Sequence, residues 1–324
     1  MSRSTAVPPT AGVSDGIHPS TDELIQLRLH AHDLALRSRQ TARSVLAGGH
    51  HSNFRGRGMD YLESRAYQSG DDIRNMDWRV TARSGRAHVK VYHEERERPV
   101  VVMVDFGPGM FFATHGAFKS IIAARVAALI AWAAVDNGDR IGALLYNGKH
   151  QELRPAGGQR GALRLIRALV AAADPAGRPA ATAERGDTLN AALLRLRRVA
   201  RPGSLVFIVS DFYNSDGDSR QHLQHLRRHN DVVACQVLDR LELEPPAAGR
   251  YPVQYGEQQG LLDTRSASRR QAWAEHFAAR RRALDELTQQ CAVPLIRLTT
   301  GDDVTQTLRS ALMRAGRSRA ELAA

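Results

Sequence analysis

Apolar residues change their spacing along this chain, and each change marks an element. From residue 21 to 46, Leu24, Leu27 and Leu34 recur at helical intervals behind Thr21, a residue type that caps helices, so a helix is predicted. His88–His93 alternates like a strand. At Val100 the alternation stops: VVVMVD is continuously apolar and ends on Asp105, the pattern of a strand buried on both faces. From there strands and helices take turns. AFKSIIAARVAALIAWAAVDNGD reads as a helix closed by Asn137–Gly138, RIGALLY as a strand, and GQRGALRLIRALVAAAD and GDTLNAALLRLRRVARPG as helices. SLVFIVSD is a strand ending on Asp211, SRQHLQHLRRHN a helix and DVVACQVLD a strand. A Pro/Gly-bearing stretch near 241–262 reads as irregular; a helix near 266–291, the strand PLIRL and a last helix near 302–314 follow. This alternation predicts an α/β fold, a mostly parallel sheet flanked by helices and joined by right-handed crossovers. Ligands of such sheets sit beyond the strands' carboxyl ends, where strand order reverses. Asp105 and Asp211 both end strands there.

The predicted organisation is a disordered Pro/Ser/Thr/Gly-rich tail at 1–20, an N-terminal helix and polar segment at 21–98, the sheet domain at 99–315 and a tail at 316–324. The longest apolar run, Val126–Val135, is about half of the ~20 residues that span a bilayer, so it reads as a buried helix and no membrane span is expected. The N-terminus lacks an apolar signal core, and two cysteines, Cys235 and Cys291, suit a reducing compartment, so a cytoplasmic location is expected. A net charge of +11 favours anionic partners, but the basic residues are dispersed and aromatics are only 6%, which disfavours nucleic acid.

Two constellations carry candidate chemistry. Asp105, Thr188 at a helix start, and Asp211 would together suit Mg²⁺ with several waters retained; alternatively each merely caps a turn or helix. The arrangement resembles the von Willebrand factor A domain, whose metal-ion-dependent adhesion site takes Asp-x-Ser-x-Ser, a Thr and an Asp. Gly107 and Gly109 stand in place of the serines, so the expectation is a degenerate site, no resident cofactor and weak Mg²⁺ at best. Restoring serine at both positions should strengthen binding if the three residues converge. His222, His225 and His229 share a helix face and could ligate zinc, although exposed histidines more often meet only water.

The second constellation is YQSGDDIRNMDWRVTARSG, Tyr67–Gly85, where acids and bases crowd with little aliphatic material. Gly56, Gly58, Glu63, Arg65, Tyr67, Gly70, Asp71, Asp72, Arg74, Asp77, Trp78, Thr81, Ala82, Arg83, Glu94 and Glu95 resemble the signature of the domain of unknown function 58 family. That resemblance implies a von Willebrand factor A-like protein without enzymatic activity, commonly encoded beside MoxR-type AAA+ ATPases. It therefore implies a partner or adaptor in ATP-driven maturation or complex assembly, acting on protein clients. Arg65, Arg74, Arg79 and Arg83 are expected to pair with Asp71, Asp72 and Asp77, as a clasp over the sheet domain anchored by Trp78, as a docking surface, or as both. Asp71 and Asp72 should face different surroundings, one of them exposed. The alternatives are a basic nucleic-acid-associated protein and a cryptic metal-dependent hydrolase using Asp105 and Asp211.

Overall fold

The computed structural model describes residues 15–32, 34, 36, 59–69, 71–94, 98–147, 149–177, 188–255 and 258–321. In chain order the helices are α1 (Thr21–Gln26), α2 (Arg28–Ala31), α3 (Trp78–Ser84), α4 (Lys119–Asp136), α5 (Gly158–Ala173), α6 (Thr188–Val199), α7 (Gly217–His229), α8 (Ala267–Gln290) and α9 (Val304–Glu321). The strands are β1 (Met59–Ala66), β2 (His88–Glu94), β3 (Pro99–Asp105), β4 (Arg140–Tyr146), β5 (His150–Gly157), β6 (Leu205–Ser210), β7 (Asp231–Leu238), β8 (Arg250–Tyr255), β9 (Gln258–Asp263) and β10 (Leu295–Thr299).

The continuous apolar runs lie where such runs must, in the middle of a six-stranded sheet ordered β10-β7-β6-β3-β4-β5. β3 pairs in parallel with β4 on one side and β6 on the other, so strand order reverses at β3/β6. β7 and β10 continue in parallel, and β5 closes the edge antiparallel to β4. Alternate residues of β3 feed opposite layers. Val100, Val102 and Val104 join a core with α4 and α5, while Val101 and Met103 join one with α6 and α7. α4 is buried nearly all round, as the run from Val126 to Val135 requires. The fold is therefore α/β, mostly parallel, with helices on both faces.

The chain divides into two compact units: residues 1–42 with 98–324, and residues 43–97. This corrects the single 21–98 segment. α1 belongs with the sheet because Leu24 is buried, Trp132 Nε1 donates to Leu24 O at 3.0 Å, and Arg125 pairs with Glu23 at 2.7 Å. Other expectations also shift. Ser20, not Thr21, caps α1. Residues 1–14 lie outside the described residues, but 15–20 are ordered, with Gly16 O accepting from Phe118 N at 2.8 Å. α9 continues to Glu321, past the predicted boundary at 315. β5 and the β8–β9 hairpin were not foreseen; these polar, half-exposed strands lack the apolar run that reveals a central strand.

The second unit is a β1–β2 hairpin whose connection carries a 3₁₀ turn (Ile73–Asn75) and α3. Asp77 N donates to His88 O at 2.8 Å, and His88 N to Thr81 Oγ1 at 3.0 Å, so the connection is tied to the hairpin that it joins. α3 ends at Gly85, whose φ of 69° is the left-handed conformation that glycine adopts without strain.

Candidate functional site

β3 and β6 are neighbours, so the residues ending them meet at the reversal of strand order. Asp105 Oδ1 accepts from Gly107 N and Oδ2 from Ser210 Oγ, both at 2.7 Å. Asp211 Oδ1 accepts from Tyr213 N at 2.9 Å, and Oδ2 from Lys119 Nζ at 3.1 Å. The chain reverses sharply here: Phe212 is buried with φ 53°, a conformation that costs a non-glycine residue roughly 1–3 kcal/mol. Burial and the neighbouring Asp211 carboxylate push the Asp105 carboxyl up to about 6.

Lys119, the first residue of α4, was not singled out by its sequence. It is 2% exposed and bridges Asp211 to Glu242, which it meets at 3.0 Å. Burial opposes its charge, but the Asp211 and Glu242 carboxylates outweigh that and raise its pKa. Glu242 also accepts from Asp239 N at 2.7 Å. Asp239, fully buried beyond β7, accepts from Thr114 N, Thr114 Oγ1, Thr300 Oγ1 and Leu241 N. One polar network thus links the carboxyl ends of β6, β7 and β10, and the Asp105 carboxyl ends β3 beside it.

Of the three residues expected to ligate Mg²⁺, the fold brings Asp105 and Asp211 together and places Thr188 at the start of α6; the Thr188 side chain lies outside the described residues. As they stand, the donors do not suit a divalent cation. Every Asp105 and Asp211 oxygen already faces a protein donor, and one donor is an ammonium. The expected gain from serines is also undercut: a Cβ on Gly109 would meet Asp211 Oδ2 at 2.9 Å, and one on Gly107 would meet Asp105 Oδ1 at 3.0 Å. On α7, His222 Nδ1 faces Arg197 Nη1 at 3.1 Å, and among the described residues no group of three His, Cys, Asp or Glu is placed to hold a metal.

In the second unit the acids separate. Asp71 takes a two-pronged hydrogen bond from Arg65, at 2.7 and 2.8 Å, and accepts from Gln68 N, which fixes the turn after Tyr67. Tyr67 extends the hairpin through Tyr67 N to Ala87 O at 2.9 Å. Asp72 is exposed and caps the 3₁₀ turn through Arg74 N. Asp77 is buried; it caps α3 through Arg79 N and Val80 N, both at 3.1 Å, and accepts from Ser64 Oγ at 2.6 Å. Hydrogen bonds from Ser64 and Val80 hold its carboxyl below the usual range. One expectation fails here. Only Arg65 forms the foreseen ion pair; Arg74, Arg79 and Arg83 are exposed with no carboxylate partner among the described residues. Trp78 is 68% exposed. At the helix start its side chain turns outward while Asp77, one residue earlier, turns in.

Asp77→Ala should therefore lower the melting temperature by removing a helix cap and the Ser64 contact rather than an ion pair. Asp77→Asn, which can still cap, should recover most of the loss. Equal melting of all three proteins in a thermal scan would show that the cap contributes nothing.

The profile of the family described as "Protein of unknown function DUF58" matches residues 63–283, more than half of the chain. An uncharacterized protein of Mycobacterium bovis and one of Mycobacterium tuberculosis are each 34% identical over 276 residues, covering 83% of this chain and 84% of theirs. Solved structures with a related fold include BatB from Bacteroides thetaiotaomicron, at 13% identity and TM-score 0.43 over 68% of this chain and 99% of that one. An aerotolerance-related membrane protein from Bacteroides fragilis, also 13% identical, gives TM-score 0.42 with the same coverage. A von Willebrand factor type A protein from Catenulispora acidiphila gives 0.32 at 11% identity, over 47% of this chain and 36% of that one. The expected cytoplasmic location is withdrawn, because these structures include one named as a membrane protein. No helix among the described residues is long and apolar enough to cross a membrane. The long profile match and the two mycobacterial relatives agree with the signature around Asp71, Asp77 and Trp78: the chain belongs to the DUF58 family.

Proposed function

We propose that this chain is a non-enzymatic protein-interaction module that docks a MoxR-type AAA+ ATPase through the connection between β1 and β2. The carrying observation is the exposure of Trp78, 68%, and Ile73, 61%, among exposed arginines at 74, 79, 83 and 86. Tryptophan and isoleucine left mostly facing water gain little from folding, and tryptophan and arginine dominate the energetics of protein interfaces. The arginines face no carboxylate among the described residues, so the surface complements an acidic, partly apolar patch on the partner. The family resemblance supplies the ATPase; the rigid turn built by Arg65, Asp71 and Asp77 supplies a fixed platform.

The test is binding to the MoxR-type ATPase of the same genome, with and without an ATP analogue. Trp78→Ala and the double change Arg79→Glu with Arg83→Glu should each weaken the complex about 10–100-fold at unchanged melting temperature. Undiminished binding of both variants would overturn the reading. If the same variants instead lose a steeply salt-dependent affinity for DNA, the surface reads phosphates and the nucleic-acid alternative replaces this one.

A further inference from the structure

We propose that the Lys119 ammonium takes the cation's place at the junction of β3 and β6, so that this site is built around a tethered, permanent positive charge and excludes a divalent metal. Placing a lysine at the first residue of a helix sets its charge against the positive end of the helix dipole, and burying it to 2% exposure strips its water. Neither is tolerated without compensation, and here the compensation is specific. Nζ lies 3.1 Å from Asp211 Oδ2 and 3.0 Å from Glu242 Oε1. The two carboxylates come from different strand ends, so one ammonium ties the turn after β6 to the turn after β7.

The glycines fit the same account. Gly109 passes so close to Asp211 that a Cβ would stand 2.9 Å from Oδ2, the oxygen that Lys119 engages. A serine there would press on the ion pair. A Mg²⁺ ion needs carboxylate oxygens at about 2.0–2.1 Å in near-octahedral array. To obtain them at Asp211 it would have to displace Lys119 or sit beside it against like-charge repulsion. The charge that a metal would bring is already present, covalently attached. Being nearly inaccessible, it offers no open position to an incoming ligand, so a partner's carboxylate has nothing here to coordinate.

The test is Mn²⁺ titration of the full chain and of Lys119→Met, followed by electron paramagnetic resonance of free Mn²⁺ and by thermal unfolding. The unmodified protein should bind no Mn²⁺ at Asp211 at micromolar concentrations, and its melting temperature should not change with added metal. Lys119→Met keeps the length and loses the charge; it should melt earlier than the parent, recover with Mn²⁺ and bind it at least tenfold more tightly. A second variant, Lys119→Met with Glu242→Gln, removes one charge of each sign and should also gain Mn²⁺ affinity, which covers the case in which the single variant does not fold. Micromolar Mn²⁺ binding by the unmodified chain that is lost in Asp211→Asn would overturn the proposal. So would a folded Lys119→Met that binds Mn²⁺ no better than its parent.

Discussion

Asp239→Ala is expected to lower the unfolding free energy by about 3–5 kcal/mol, because four donors converge on a carboxylate that water does not reach. Thr114 N and Oγ1 stand at 2.8 Å, Thr300 Oγ1 at 2.9 Å and Leu241 N at 3.0 Å. Truncation leaves these donors in a buried space, with whatever water can enter as their only new partner. The effect carries a pH signature. Burial alone would raise this carboxyl's pKa, but the bonds from Leu241, Thr114 and Thr300 more than reverse that and hold it below its ordinary value. A carboxylate whose pKa is depressed on folding stabilises the fold above its unfolded value, and the contribution is lost as pH falls through the folded value. The gap between Asp239→Ala and its parent in urea denaturation should therefore be widest near neutral pH and narrow on acidification. A loss below about 1 kcal/mol at neutral pH would mean that water satisfies the donors nearly as well.

Trp132→Ala should cost about 3–5 kcal/mol, the range for deleting a large aromatic from a close-packed interior. Trp132 is 2% exposed, and its effect reaches α1. Its indole N–H holds Leu24 O at 3.0 Å, and the Arg28 guanidinium lies 5.6 Å from the ring centre. Truncation should thus both open a cavity and release the N-terminal helix. Amide hydrogen exchange at residues 21–31 should accelerate in the variant before the sheet itself unfolds. Trp132→Phe keeps most of the volume but orphans the Leu24 carbonyl, and should lie between. If exchange in α1 stayed at the parent rate, the anchoring role of the indole would be refuted.

The sequence by itself determined the parallel strands of the sheet, though not its antiparallel edge β5. β3, β6 and β7 are legible because a strand buried on both faces must be apolar at every position, and α4 because a helix buried all round must be too. The same runs place Asp105 and Asp211 at strand ends, and adjacency of β3 and β6 then brings them together. The family signature was equally legible, since its residues cap and pair within a short stretch: Asp77 acts two and three residues on, and Arg65 reaches Asp71 six residues away. What only the tertiary structure decided is whatever depends on distant partners. Lys119 looks like the polar start of an apolar helix until Asp211, 92 positions later, and Glu242, 123 positions later, close around it. Trp78 is apolar enough to read as buried material, yet beside the turn at Asp77 it lies 68% exposed. Neither position carries a local pattern. Spacing records which way a side chain faces along its own element, whereas a charge buried between elements, or an aromatic left outside them, is set by where those elements finally pack.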